Sequence, residues 1–132
     1  MNHDEFIGQV QHRARLDSRG AAERATRATL ETLGERLAGG AAEKLAAQLP
    51  HEVGEHLRRA GTASLPVDLQ GFFERVAARE GMELPEAVFH ARCVVEVVGE
   101  ATTGGGLEKI KDQLPDEYER LFAGSAGRMA PE

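Results

Sequence analysis

Tryptophan is absent, tyrosine occurs once, and a single cysteine is found among 132 residues. One thiol excludes an internal disulfide framework and any zinc module built on several cysteines. Long apolar runs are missing too, since none approaches the roughly 20 residues that a membrane-spanning helix needs. The opening residues Met1-Asn2-His3-Asp4-Glu5 are acidic where a secretion signal would be basic. A cytoplasmic protein with no membrane partner is expected. There is no excess of positive charge, with 16 Lys and Arg against 22 Asp and Glu. Nucleic-acid binding requires a basic stripe that releases counterions from phosphates, so no nucleic-acid partner is expected. What is present suffices for a core: 41% apolar residues and 29% charged residues of mixed sign, the balance of an ordinary folded domain rather than a disordered chain.

The charge is uneven. Residues 1–66 hold 9 basic and 9 acidic side chains, while residues 67–132 hold 7 and 13, so the whole net charge of −6 lies in the second half. Such asymmetry marks either a partner surface or drift on solvated helix faces.

An internal repeat organises the chain. A shift of 65 residues lays Gly39-Gly40 on Gly104-Gly105, Glu43-Lys44 on Glu108-Lys109, and Gln48-Leu49-Pro50 on Gln113-Leu114-Pro115. Upstream, Arg27, Glu31 and Gly34-Glu35 meet Arg92, Glu96 and Gly99-Glu100; with one more residue of offset, Phe6, Val10 and Arg13 meet Phe72, Val76 and Arg79. This reads as a duplication. Each copy reads as four helices. In the first, Phe6, Ile7 and Val10 recur at helical spacing, and Asp17-Ser18 is suited to cap a second helix. That helix carries Thr26, Leu30, Leu33 and Leu37 at i, i+4, i+7 and i+11, and Gly39-Gly40 is expected to end it. A short helix over 41–48 stops at Leu49-Pro50, and Pro50 is expected in the first turn of the fourth. The segment 61–66 links the copies. In the second copy Pro85 opens the long helix, whose stripe is Ala91, Val95 and Val98. Val94-Val95-Glu96-Val97-Val98 suits a strand on propensity, but its counterpart Thr29-Leu30-Glu31-Thr32-Leu33 is helical, so a helix is expected. The reading is one compact all-α domain over residues 1–123, of about eight helices in two tandem quasi-equivalent four-helix repeats, 3–60 and 67–123, with a flexible tail at 124–132. Units of roughly 65 residues are marginal alone, so each is expected to need the other.

The doubled pattern resembles a bacterial family, the domain of unknown function 2267, over roughly residues 3–123. The residues that carry it are Asp4-Glu5-Phe6, Glu31-Thr32-Leu33-Gly34-Glu35-Arg36-Leu37, the Gly-Gly break, Ala47-Gln48-Leu49-Pro50 and the closing Tyr118-Glu119-Arg120-Leu121-Phe122. The resemblance implies an all-helical bacterial protein and supplies no activity and no catalytic residues.

The chemistry-bearing residues are few. His51-Glu52-Val53-Gly54-Glu55-His56 lacks the i, i+4 histidines of a zinc protease helix, because position 55 is glutamate. His51/Glu55 and Glu52/His56 are two i, i+4 pairs, each a weak metal candidate, set against a plain solvated helix face. Gly39-Gly40 and Gly104-Gly105-Gly106 precede helices, yet no phosphate-loop pattern surrounds them, so helix termination is the expected role. Cys93 reads as a buried small hydrophobe rather than a reactive thiol, and His90 three residues before it lacks an identified orienting group. Leu49 and Leu114 are expected to pin their turns to the core. Arg27, Glu31, Gly34 and the echo Arg92, Glu96, Gly99 form a repeated stripe beside the apolar one. A glycine inside a helix costs roughly 1 kcal/mol against alanine, so the second and sixth helices are expected to cross near Gly34 and Gly99, with Arg27–Glu31 and Arg92–Glu96 pairs beside the crossing, or else those pairs are exposed. No cofactor and no catalytic set are identified. The leading expectation is a non-enzymatic protein–protein interaction or assembly module, stress-related in one version, acting as monomer or homodimer with an unknown protein partner. The alternatives are a small-ligand sensor using a groove between the repeats, and an enzyme with a site around His90/Cys93 or His51–His56.

Overall fold

The computed structural model describes residues 1–38, 40–59, 65–102 and 105–123. Among them the chain forms eight α-helices and one 3₁₀ turn, with no strand. Helix α1 (His3–Arg13) opens on Asn2, whose side chain accepts from Glu5 N while Glu5 accepts from Asn2 N, satisfying two otherwise orphaned donors. Ser18 caps α2 (Arg19–Arg36) by accepting from Ala21 N at 3.0 Å. Two shorter helices follow, α3 (Ala41–Ala46) and α4 (His51–Arg59). Asp68 caps α5 (Leu69–Glu80) through Gly71 N at 2.8 Å, and Gly81 leaves it in the left-handed region at φ 72°, open to glycine at no steric cost. Pro85 lies in the first turn of α6 (Leu84–Ala101), where its missing N–H has no helical partner to lose. The chain closes with α7 (Gly106–Asp112), a 3₁₀ turn (Asp116–Tyr118) and α8 (Glu119–Phe122).

The valine run Val94–Val98 is helical and buried but for Glu96, whose residue is only partly covered. Three local expectations change. Gly39-Gly40 does not end α2: the helix stops at Leu37, which turns extended (φ −81°, ψ 149°) with its side chain in the core, and Gly40 instead precedes α3. Gly39 lies outside the described residues. Likewise Thr102 ends α6, while Gly105, at φ 74°, opens α7. The glycines therefore start the third helix of each half. Pro50 stands one residue before α4 rather than inside its first turn, and its carbonyl accepts from Gly54 N at 2.9 Å. The fourth helix of the second half is wound as a 3₁₀ turn and a short α-helix meeting at Tyr118. That side chain is fixed by tertiary contacts, its hydroxyl donating to Val67 O at 2.7 Å and its ring meeting Phe72 edge-on at 5.8 Å. Of the linker 61–66 only Leu65 and Pro66 are described, and the expected tail at 124–132 lies outside the described residues.

The two 18-residue helices α2 and α6 form the centre. Helix α2 packs on α1, α4, α5 and α6, and α6 packs on α1, α5, α7 and α8 as well. One continuous core runs through both halves, from Phe6, Leu30, Leu33 and Leu57 to Phe72, Val94, Val98 and Leu121. Gly54 lets α4 lie against α3, since a Cβ there would stand 2.6 Å from Ala46 O. Leu49 and Leu114, exposed by only 7% and 8%, close the two Gln-Leu-Pro turns against this core. Leu49→Ala and Leu114→Ala are each expected to cost about 2–3 kcal/mol, the lower part of the range for leucine truncation because both sit at the edge of the core. Urea unfolding of each variant measures it; a loss under about 0.5 kcal/mol, the level of an ordinary surface change, would show that the turns are not pinned.

Candidate functional site

Of the charged residues in the repeated stripe, Glu31 and Glu96 meet arginines across the halves, and the expected Arg92–Glu96 ion pair does not form among the described residues. Arg13, at the end of α1, donates to Glu96 at 2.8 Å and to Glu100 at 2.5 Å, both on α6. Arg79, near the end of α5, donates to Glu35 and to Thr32 Oγ1 (2.7 Å) and lies 3.8 Å from Glu31, all on α2. Under the repeat offsets Arg13 corresponds to Arg79, and Glu31 and Glu35 to Glu96 and Glu100, so each half grips the long helix of the other with the same residue types. Sequence reasoning noted every one of these matches and missed the pairing, because within a helix the nearest partner of Glu31 is Arg27. That pair is loose, at 4.0 Å, and Arg27 is 56% exposed. Gly34 is buried. Gly99 makes room for α7: a Cβ there would lie 3.0 Å from Leu107 Cδ2.

The second feature is a buried pair that the sequence did not disclose. Glu80 in the last turn of α5 meets His90 in α6, Oε2 to Nδ1 at 2.5 Å, with side chains 3% and 6% exposed. Glu80 is the orienting group for His90 that the sequence did not identify. The pair still does not make Cys93 a nucleophile, because burial, with Glu96 nearby, pushes the thiol up to about 11 and keeps it neutral. Only a pairing of the halves exposes Glu80 as unusual: its counterpart is Ala14 and that of His90 is Ala25, both buried alanines.

The third feature is an open groove of about 680 Å³ between α1, α2 and α4. It lies within the first half rather than between the repeats. His3, Arg24, Arg27, His51, His56 and Arg59 line it, together with Glu23, Glu52 and Glu55. His51 stands 4.0 Å from Glu55 and is 78% exposed. His56 is held below its ordinary value by burial first and then by the guanidinium groups of Arg59 and Arg27, against Glu31. Among the described residues no three His, Cys, Asp or Glu side chains come close enough to hold a metal ion, so His51, Glu52, Glu55 and His56 are not assembled into a metal centre. Gly106 lies against the first half: a Cβ there would stand 2.7 Å from Gln48 Nε2, so the start of α7 approaches the turn after α3.

These features define an all-helical protein in which, among the described residues, no helix is long and apolar enough to cross a membrane. The family model described as an uncharacterized conserved protein, DUF2267, matches residues 3–121, and the chain belongs to that family. No curated protein matches the chain.

Proposed function

We propose that the protein is a non-enzymatic cytoplasmic bacterial module that docks a partner protein through the start of α6. The observation that carries this is Phe89, 44% exposed on α6, with Met82 (38%) just before the helix. Between them Glu83, Pro85 and Glu86 are exposed. Aromatic side chains left in water beside a polar rim are the usual anchors of protein interfaces. The rim here is carboxylate, within the half of the chain that carries the whole negative charge, so the fitting partner presents an apolar pocket edged by Lys or Arg. The neutral, buried thiol of Cys93 and the enclosed His90 support binding over catalysis.

Affinity capture from native lysate with the tagged full chain, read by mass spectrometry, tests this. Phe89→Ala is expected to keep the wild-type melting temperature and to weaken the captured partner about tenfold or more, the loss expected for an aromatic anchor worth ~2 kcal/mol. Capture of the same proteins at the same level by wild type and Phe89→Ala would overturn the proposal, as would capture of none. Light scattering of the free chain separates monomer from homodimer.

A further inference from the structure

Charge is unbalanced within the groove between α1, α2 and α4 in a way that the net charge of the protein conceals. Two of its three carboxylates are already engaged from outside: Arg19 binds Glu23 at 3.1 Å, and Arg58 binds Glu55 at 3.1 Å. Among the described residues Arg24 and Arg59 make no ion pair, and Arg27 has only Glu31 at 4.0 Å. Three guanidinium groups from two helices therefore face one shared space with Glu52 as the uncommitted carboxylate. Beside them His56 Nδ1 is buried and has no hydrogen-bond partner among the described residues, a state that costs free energy unless something fills it. The cations around His56 act on it as a positive field, the field an anion would relieve.

The second half shows that the arrangement is not demanded by the fold. At the repeat offsets the counterparts of Arg24, His56 and His3 are Phe89, Leu121 and Leu69, all apolar, and Leu121 and Leu69 are fully buried. At two of these positions, Leu69 and Leu121, the second half sets buried hydrocarbon where the first half sets His3 and His56 on the lining of an open groove. The volume falls in the range of roughly 300–1,000 Å³ typical of small-molecule sites, and guanidinium forks from two helices suit an anion with more than one charged centre. We propose that this groove binds a small compound carrying two linked phosphate groups, held by Arg24, Arg27 and Arg59 with His56 adjoining. This site is separate from the Phe89 surface.

Calorimetry and NMR on the full chain test it, with inorganic pyrophosphate and ADP as probes and orthophosphate as the comparison. Pyrophosphate is expected to bind at a one-to-one ratio, to shift resonances of α1, α2 and α4, and to raise the pKa of His56 read from its ring protons. Arg24→Gln and Arg59→Gln, both at exposed positions, are each expected to weaken binding about tenfold, as for loss of one charge-assisted hydrogen bond. Arg120→Gln, the same charge change on α8, is expected to leave it unchanged. ADP binding tenfold tighter than pyrophosphate would assign a nucleoside diphosphate, and equal binding an inorganic one; either supports the site. Absence of binding by both probes would overturn the proposal. Orthophosphate binding as tightly as pyrophosphate, or Arg120→Gln weakening binding as much as Arg24→Gln, would overturn it equally.

Discussion

Glu80→Ala is expected to lower the unfolding free energy by about 3–5 kcal/mol, the cost of breaking a buried polar pair by removing one member. The variant leaves His90 Nδ1 in the core with its partner gone, and the site is too enclosed for water to replace a carboxylate that is 3% exposed. Glu80 is also poorly placed on its own account. It stands in the last turn of α5, where the unsatisfied carbonyls form the negative end of the helix dipole, and its Oε1 has no hydrogen-bond partner among the described residues. The imidazole is therefore what makes a carboxylate tolerable there. The same reasoning fixes the expected behaviour of the double variant Glu80→Met/His90→Leu. Replacing a whole buried pair by apolar groups of similar volume is often neutral or stabilising, and the residues at the corresponding positions of the first half, Ala14 and Ala25, are apolar and buried, 3% and 0% exposed. The double variant should recover most of the loss, so that the two substitutions are strongly non-additive in urea unfolding. Simple additivity of the two single losses would show that the packing of α5 on α6, rather than the pair, was being measured.

Periodicity and end signals made the helices legible. Ser18, of the pair Asp17-Ser18 expected to cap the second helix, does cap α2, and the apolar stripes of α2 and α6 enter the core as spaced. What misled were signals with two physical uses. A Gly-Gly pair ends one helix or begins the next at equal steric cost, and the decision fell to Leu37, whose burial takes the backbone extended two residues earlier. Glu31 has an arginine four residues away on its own helix and another, Arg79, on α5, far along the sequence; composition cannot rank them. Glu80 carried no local signal at all. A carboxylate near a helix end reads as solvent-facing, and only the sequence offset, which sets it against the buried Ala14, marks it. The groove was half legible: His51, Glu52, Glu55 and His56 were singled out for metal, but the arginines that give the site its charge come from α2 and the end of α4, brought together by packing.

The halves have thus kept their grips on one another while parting in their surfaces. Arg24 in one corresponds to Phe89 in the other, so the same helical position faces a donor-lined groove in the first half and offers an exposed aromatic ring in the second. One position of the repeat has two chemistries.

Residues 1–62 expressed alone are expected not to fold as a monomer, a loss of the whole cooperative transition. Helix α2 is covered in the full chain by α5 and α6 as well as by α1 and α4, and α1 also packs on α6. The fragment would expose apolar side chains that are fully buried in the whole chain, and a unit of about 60 residues has little stability to spare. It would also leave Arg13 without Glu96 and Glu100, and Glu31 and Glu35 without Arg79. The equivalence of these groups makes the expectation sharper. Since Arg13 corresponds to Arg79, and Glu31 and Glu35 to Glu96 and Glu100, a second copy of the fragment carries the missing partners of the first. Folding is therefore expected to appear with rising fragment concentration, through a dimer in which Arg13 of each copy meets Glu31 and Glu35 of the other. Arg13→Glu should abolish that dimer, setting like charges against each other at both symmetric contacts. Circular dichroism across a concentration series, with sedimentation to give the mass, measures both. A cooperatively folded monomer of residues 1–62, or a dimer indifferent to Arg13→Glu, would show that the crossed grips are decoration on halves that stand without them.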